Sequence, residues 1–349
     1  MTDYLLHEFS HQDLDWLLHN GQIRELSPKT VLRQPDRPCH EIYLLLEGSL
    51  SLAMPYQNSG QLQEFLQLTS GELTGAIPYL ETLFSAATIQ AIDRSCVLCF
   101  DRTQLADKLT QDIAFSAHFY RAQAVLLWQR LQFLAMQMKL NPAFLARVNL
   151  KEAAILFAEL QDQDLDWLIA VGQIQMLANQ TILQPRYHPI EALHIVLEGA
   201  LSLQALDDSP DAIAQVFLHS DLRSLQELAR LARGDLFGET LFLQPHPSYV
   251  QIQALRETQL LSIPRWRLAA KLLHDDGFAM RFYRVLAGLM ASKYQAIVSQ
   301  LGFVTHQETL EVGDSFLSKM AMAEARFDWM LKRIKTQSTS GREIQWSFN

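Results

Sequence analysis

The chain has 349 residues, of which 49% are hydrophobic and 19% charged, and its formal net charge is −9. This length is enough for two or three domains with a large apolar core. The negative charge argues against nucleic acid or an anionic membrane as a general partner, because those need a basic surface. Three cysteines provide no disulfide framework. The chain starts without a secretion signal, and no run approaches the roughly 18 apolar residues of a membrane span, so we expect a cytoplasmic protein.

Long segments of the chain occur twice. Residues 13–17, Asp-Leu-Asp-Trp-Leu, recur as residues 164–168, and the offset of 151 holds through two further matches. Residues 71–76 then match residues 234–239 at an offset of 163, so the second copy carries 12 extra residues ahead of this match. A period of this length indicates a duplicated domain and not a solenoid.

The first copy opens with a helix and continues with short strands. Ser10 is a typical N-cap for a helix over residues 10–18, and Asp13 stands at the third helical position, where its carboxylate returns a hydrogen bond. Helical spacing begins again at residue 104, and the last helix of this copy ends before Asn141. The β-type runs between these helices are residues 30–32, 42–46, 50–54, 62–68, 87–91 and 96–100.

Many short strands followed by helices predict a mixed α/β (α+β) fold. Each copy is expected to form a small β-roll, similar to a jelly roll, with flanking helices, and a C-terminal helix follows. We predict a first domain over residues 1–148 and a second over residues 149–304. Residues 305–349 are predicted to form a linker and a C-terminal helical tail.

A glycine-rich cassette in the second copy is the strongest candidate site. Gly234 and Gly238 allow backbone conformations closed to other residues, and they frame a short apolar segment. Glu239 and Thr240 begin a segment long enough for about one helical turn. A helix start of this kind suits an anion, and Glu239 would serve there as an acceptor for hydroxyl groups.

The cassette, together with Leu-Glu-Gly turns at residues 46–48 and 197–199, resembles the cyclic-nucleotide-binding domain family over about residues 30–140 and 180–303. The resemblance implies that Glu239 accepts a ribose hydroxyl and that an arginine further on holds the cyclic phosphate. Ser248 stands at the arginine position in this chain. The second pocket is therefore predicted to contain Gly238, Glu239, Thr240, Ser248 and Tyr249.

The first cassette departs further from the family pattern. Gly75 is followed by Ala76 where the family has glutamate, and Ser85, followed by Ala86, stands at the arginine position. We therefore expect the first pocket to be vestigial and the second to be the one plausible ligand site. No cofactor is expected apart from a cyclic-nucleotide-like ligand.

Other motifs carry little chemistry. Cys96 and Cys99 have the spacing of a metal motif but lie in a predicted strand, where residues three apart point to opposite faces, so no metal is expected. His246 is a candidate substitute for the missing cation. No nucleophile elbow, P-loop or dinucleotide motif is present, which predicts a protein that is not an enzyme. A second helix that could read DNA is also missing from the tail.

The 12 extra residues fall within an insertion around residues 207–231. Leu225, Leu228, Ala229 and Ala232 have helical spacing, so this insertion is predicted to be a surface loop with a short helix.

Two further helices are predicted after the second roll. The first spans residues 282–303 and either joins subunits or covers the roll. The second spans residues 315–335 and carries a heptad-like apolar stripe, which we expect to dock on this chain or on a second subunit. The stripe consists of Phe316, Met320, Phe327 and Met330.

These features favour a non-enzymatic regulatory or adaptor protein. In this interpretation the second domain senses a nucleotide-like ligand, and the chain docks a protein partner or forms a homo-oligomer. The alternative is a structural or assembly component, for instance of a contractile-injection or shell-type complex, in which both pockets are vestigial. A DNA-binding regulator ranks third because of the charge and the missing reader helix.

Overall fold

A computed structural model describes residues 7–35, 40–56, 61–75, 77, 87–137, 152–186, 188–206, 225–243, 250–303 and 314–339. The elements of the first repeat are α1 (His11–Asn20), β1 (Gln22–Leu26), β2 (Val31–Arg33), β3 (Glu41–Glu47), β4 (Ser49–Pro55), β5 (Leu62–Thr69), β6 (Leu73–Gly75), β7 (Thr88–Ala91), β8 (Ser95–Asp101), α2 (Arg102–Gln111) and α3 (Ile113–Gln137).

The second repeat follows the same order. Its elements are α4 (Glu152–Glu159), α5 (Asp162–Val171), β9 (Gln173–Leu177), β10 (Ile182–Gln184), β11 (Ala192–Glu198), β12 (Ala200–Leu206), β13 (Leu225–Ala232), β14 (Leu236–Phe237), a 3₁₀ helix (Glu239–Phe242), β15 (Gln251–Ala254), β16 (Thr258–Pro264), α6 (Arg265–His274) and α7 (Asp276–Gln300). The helix α8 (Asp314–Thr339) comes last.

Each repeat folds its strands into two antiparallel sheets of four strands. In the first repeat the orders are β1-β8-β3-β6 and β2-β7-β4-β5. In the second repeat they are β9-β16-β11-β14 and β10-β15-β12-β13, which is the same topology. The apolar core of the second roll draws on both of its sheets, since Val196 and Leu260 come from one and Leu201 and Ile252 from the other. The predicted pair of β-rolls with flanking helices is confirmed.

The helix α1 begins with the capping interaction that the sequence predicts. The Ser10 hydroxyl accepts a hydrogen bond from the Asp13 amide at 3.2 Å, and the Asp13 carboxylate accepts one from the Ser10 amide at 2.7 Å. These reciprocal bonds satisfy two donors that the first turn of the helix leaves unpaired. The same carboxylate lies 2.7 Å from Nδ1 of His118 on α3, which ties the helix start to the long helix behind the roll.

The Leu-Glu-Gly turns require glycine in both repeats. Gly48 and Gly199 have φ angles of +87° and +102°, in the left-handed region. A Cβ atom on Gly48 would lie 2.7 Å from Cα of Ser95, and one on Gly199 would lie 2.5 Å from Cα of Thr258. The turn therefore packs glycine directly against the neighbouring strand, β8 or β16.

The prediction of a short helix in the insertion is wrong. Leu225–Ala232 is the strand β13, and it pairs with β12 from Ala200 opposite Ala232 to Leu206 opposite Leu225. Pairing with β12 satisfies the backbone of this segment and outweighs its helical spacing. Residues 207–224 of the predicted insertion lie outside the described residues.

The chain divides into two compact units that do not follow the repeats strictly. One unit combines Met1–Gln129 with Ala279–Val312, and the other combines Arg130–Phe278 with Gly313–Asn349. Most of α7 thus belongs with the first roll. The predicted domain boundaries after residues 148 and 304 fall outside the described residues.

The helix α7 starts at Asp276, earlier than the predicted start at residue 282. Within the first unit, its Tyr294 ring lies 5.8 Å from the ring of Phe65 on β5, and Phe65 also contacts the ring of Phe303 at 5.0 Å. This part of α7 therefore covers the first roll.

The helix α8 contains the predicted span 315–335 and packs within the second unit. Phe327 and Met330 of the predicted stripe are buried, and the Phe327 ring lies 5.5 Å from the ring of Phe157 on α4. The side chains of Phe316 and Met320 lie outside the described residues. Across the described part of the chain, no helix is long and apolar enough to cross a membrane.

Candidate functional site

The second cassette places a short helix directly after a glycine. Gly238 follows β14, has a φ angle of +90° and caps the 3₁₀ helix that Glu239 begins. A Cβ atom at Gly238 would lie 2.4 Å from the carbonyl oxygen of Ala192 on β11. Glycine is therefore required here both by conformation and by the close approach of the two backbones. The short helix predicted from Glu239 onward is confirmed.

Glu239 is buried, with 6% of its surface exposed, and Thr240 beside it is half-buried. A buried carboxylate needs hydrogen-bond donors, and hydroxyl groups are suitable partners. Glu239 thus lies buried at the helix start where an acceptor was predicted. Ser248 and Tyr249, the other predicted residues of this pocket, lie outside the described residues.

A histidine inside the second roll was missed by the sequence analysis. His194 on β11 pairs in register with Phe237, and the two rings stack with centroids 4.5 Å apart. Its Nδ1 lies 2.8 Å from the hydroxyl of Ser262, which in turn lies 3.2 Å from the side-chain oxygen of Gln175. Burial lowers the pKa of His194 to about 4. In the sequence, only alignment of the two repeats draws attention to His194, because at the 151-residue offset it stands where the first copy has Tyr43.

The first cassette has the same backbone frame. Gly75 closes β6 with a φ angle of +104°, and a Cβ atom there would lie 2.5 Å from the carbonyl oxygen of Glu41 on β3. Gly75 and Gly238 therefore play the same structural role. Ala76, Ser85 and Ala86 lie outside the described residues.

The polar groups on equivalent strands of the two rolls differ. In the first roll, Arg24 donates to the Glu41 carboxylate at 2.8 Å, and the Tyr43 hydroxyl donates to the same carboxylate at 2.8 Å. The Arg24 hydrogen bond lowers the pKa of Glu41 below its usual value, and the same bond raises the pKa of Arg24. Repeat alignment puts Gln175 and Ala192 where the first roll has Arg24 and Glu41, so the second roll has no such ion pair at these positions.

The cysteine pair lies on one strand of the first roll. Cys96 and Cys99 lie on β8, paired with Glu47 and Tyr43 of β3 respectively. Burial raises the pKa of the Cys99 thiol to about 11, which disfavours the thiolate that would bind metal. Among the described residues, no group of three histidine, cysteine or acidic side chains is placed to hold a metal ion.

Several solved structures resemble the chain. The regulatory domain of Toxoplasma gondii PKA with cAMP is 13% identical, with 85% of this chain and 91% of that chain covered and a TM-score of 0.27. The regulatory subunit of a cAMP-independent protein kinase A from Trypanosoma brucei is 15% identical, with 78% and 89% covered and a TM-score of 0.30. The N-terminal domain of a transcriptional regulator from Streptomyces coelicolor A3(2) is 26% identical, with 41% and 89% covered and a TM-score of 0.33.

No curated protein matches the sequence. The family model described as the cyclic nucleotide-binding domain matches residues 23–112 and residues 173–275. These two matches coincide with the two rolls and together take in more than half of the chain. The chain therefore belongs to the cyclic nucleotide-binding domain family and carries two of its domains in tandem.

Proposed function

We propose that the chain is a non-enzymatic regulatory or adaptor protein whose second roll senses a nucleotide-like ligand. The observation that carries this proposal is the buried Glu239, held at the start of a short helix by Gly238. Preorganised acceptors of this kind select ligands with hydroxyl donors. The matching position in the first cassette is Ala76, which has no acceptor side chain.

The residues of the second cassette favour recognition through a sugar over recognition through a phosphate. Glu239 retains the acceptor for ribose hydroxyls, whereas Ser248 replaces the arginine that would pair with a cyclic phosphate. Loss of that charge-assisted pair weakens binding of a cyclic phosphate by about ten- to hundredfold. A nucleoside keeps the sugar hydroxyls and has no phosphate that would need a cation. Nucleosides therefore test recognition of the sugar separately from recognition of the phosphate.

The helix α8 contacts the residue that precedes the second cassette. Arg233, directly before the cassette glycine Gly234, forms an ion pair with Asp328 of α8. Its guanidinium also lies 5.5 Å from the ring centroid of Phe327. A ligand that moves the cassette would also move Arg233 and, through the ion pair with Asp328, the helix α8. We therefore propose that α8 carries the ligand signal to a protein partner.

A thermal-shift titration of the full chain tests the ligand proposal. Adenosine, guanosine, cyclic AMP and cyclic GMP are the probes, and a ligand at 100 times its Kd stabilises the folded state by about 2.7 kcal/mol. We expect a nucleoside to raise the Tm at lower concentration than its cyclic phosphate. Glu239→Gln should abolish the shift.

The matched control is Glu72→Gln in the first cassette. Glu72 accepts a hydrogen bond from the Thr69 amide at 2.6 Å and stabilises a turn, so this variant should keep the ligand shift of the parent. If all four probes leave the Tm unchanged at millimolar concentration, the sensing proposal fails, and the structural or assembly interpretation takes its place.

A further inference from the structure

The helix α6 presents an apolar stripe to solvent. Trp266 and Leu273 are 68% and 75% exposed, the highest fractions among the large apolar side chains that the structure describes. Ala269 and Ala270 between them are exposed as well. Residues three, four and seven apart lie on one face of a helix, so these side chains form a single stripe. Contiguous apolar stripes of this kind mark interaction surfaces.

The matching helix of the first repeat is polar on this face. At the 163-residue offset the three large or central positions of the stripe are occupied in α2 by Thr103, Asp107 and Thr110. The inward-facing position is the same in both repeats, because Leu105 of α2 and Leu268 of α6 are both buried leucines. The fold therefore does not require an apolar outer face on this helix, and the stripe is a property of the second repeat.

The two helices also begin differently. In the first repeat the Asp101 carboxylate caps α2 and accepts a hydrogen bond from the Thr103 amide at 2.8 Å. In the second repeat α6 follows Pro264, which provides no side-chain cap, and its first turn contains Arg265 and Arg267 but no acidic residue. Cations at the start of a helix oppose the helix dipole. This end of α6 is therefore suited to an acidic group from elsewhere.

An acidic group lies at the opposite end of the same helix. Asp276 is exposed and stands two residues past the end of α6. Over the described ranges of the chain, neither Arg265 nor Asp276 forms an ion pair. A helix of 10 residues is about 15 Å long, so the two side chains are too far apart to pair within one chain. They would come together if a second α6 helix lay against the first in the reverse direction.

We propose that a second copy of this chain covers the stripe, with the two α6 helices antiparallel about a two-fold axis. Trp266 and Leu273 are equally far from the midpoint between Ala269 and Ala270, so Trp266 of each copy packs on the partner's Leu273. The small alanine side chains at the centre let the helices approach closely. Arg265 then pairs with the partner's Asp276, and the two-fold axis makes every contact occur twice.

Sedimentation equilibrium of the full chain measures this association. One face of a short helix offers less than the roughly 800 Å² per partner of a standard interface, so we expect a reversible dimer with a Kd on the order of tens of micromolar. Trp266→Ser and Leu273→Ser should each weaken association by about tenfold or more, because each removes two apolar contacts from the dimer. The matched control is Leu18→Ser, which removes a side chain that is 58% exposed on α1 and should leave the Kd unchanged.

Charge reversal tests whether the partner is a second copy in the antiparallel arrangement. Arg265→Glu sets an acid against the partner's Asp276, and Asp276→Lys sets a base against the partner's Arg265, so each variant alone should associate about fivefold or more weakly than the parent. An equimolar mixture of the two variants restores opposite charges at both pairs. The mixture should therefore form a mixed dimer with an affinity near that of the parent.

Three results would overturn the proposal. The first is a parent chain that stays monomeric up to about ten times the expected Kd, a concentration at which most of a dimerising chain is paired. The second is a mixture of Arg265→Glu and Asp276→Lys that associates no better than either variant, which would indicate that the stripe is covered by a different protein or by another segment of this chain. The third is an equal effect of Leu18→Ser and Trp266→Ser.

Discussion

Arg326 on α8 binds the carbonyl oxygen of Leu160, just past the end of α4, at 2.7 Å. The same nitrogen, Nη1, also donates to the carbonyl oxygen of Phe157 at 3.0 Å. The last carbonyl groups of a helix have no partner within the helix, and a cation satisfies them while complementing the helix dipole. One side chain thus joins the last helix of the chain to the first helix of the second repeat.

We expect Arg326→Gln to lower the free energy of unfolding by about 2 kcal/mol, because hydrogen bonds from a charged group contribute roughly 1.5–3 kcal/mol. Urea denaturation followed by circular dichroism measures the change. Arg333→Gln is the control. Arg333 pairs with Asp166 at 3.0 Å, but both side chains are about half exposed, so the loss should stay below about 1 kcal/mol. Equal losses for the two variants would contradict a special role for Arg326.

The two glycines that bound the second cassette should respond differently to alanine. Both have left-handed backbones, with φ angles of +88° at Gly234 and +90° at Gly238, a conformation that costs other residues about 1–2 kcal/mol. A Cβ atom at Gly234 would meet nothing within 4 Å, whereas one at Gly238 would lie 2.4 Å from the carbonyl oxygen of Ala192. We expect Gly238→Ala to cost about 1–3 kcal/mol more than Gly234→Ala in urea denaturation. Equal costs would show that the close approach relaxes freely.

The order of helices, strands and turns was predictable because the sequence features that specify it are local or occur in both repeats. Ser10 and Asp13 form the capping box that their spacing predicts, and the Leu-Glu-Gly turns occur at the same place in both repeats. The strand β13 was missed because a helical period in four apolar residues is weak against a long pairing with β12. Its alignment with β5 at the 163-residue offset carried the correct answer.

The interior of the rolls was less predictable than their frame. His194 and Arg33 stand in ordinary strand patterns, and their proximity to the cassettes depends on contacts between strands that are far apart in sequence. The association of α7 with the first roll likewise depends on contacts such as that between Phe65 and Tyr294. Propensity and spacing carry no information on these tertiary contacts.

The stability of the second roll should fall in mild acid because of His194. Burial lowers its pKa in the folded protein to about 4, below the value of about 6.5 in an unfolded chain. The unfolded state therefore takes up the proton first, and stability is lost as the pH falls from about 6.5 through 4. By pH 5 this loss amounts to about 2 kcal/mol.

Unfolding free energies of the parent and of His194→Asn at pH 7.5 and pH 5 measure this contribution. The variant retains a hydrogen-bonding group but has nothing to titrate in this range. We expect the parent to lose more stability than the variant over this interval. Parallel profiles would show that His194 is accessible to protons in the folded state.

The chain should not bind duplex DNA specifically. Its net charge is −9, and the described part of the tail contains one helix, α8, whereas a helix-turn-helix reader motif needs two. Specific complexes of DNA-binding proteins weaken steeply with salt because they release counterions. A gel-shift series over a randomised duplex library, run at two salt concentrations, should give no retained sequence. Enrichment of one sequence with a nanomolar, salt-dependent Kd would contradict the prediction.

Replacement of Ser248 by arginine should restore binding of cyclic phosphate to the second roll. The position matches the family arginine, and Glu239 is still available for the ribose. The restored charge-assisted pair should tighten binding of cyclic AMP about ten- to hundredfold, while the affinity for adenosine stays near that of the parent. Thermal-shift titrations of Ser248→Arg against the parent measure both effects.

The matched control is Ser85→Arg in the first cassette, where Ala76 leaves the ribose without an acceptor, so this variant should gain little. Adding Glu239→Gln to Ser248→Arg should remove most of the gain, because the phosphate and the sugar are held by the same cassette. If Ser248→Arg gains nothing, or if Ser85→Arg gains as much, the shape of the second pocket and not its missing cation limits binding of cyclic nucleotides.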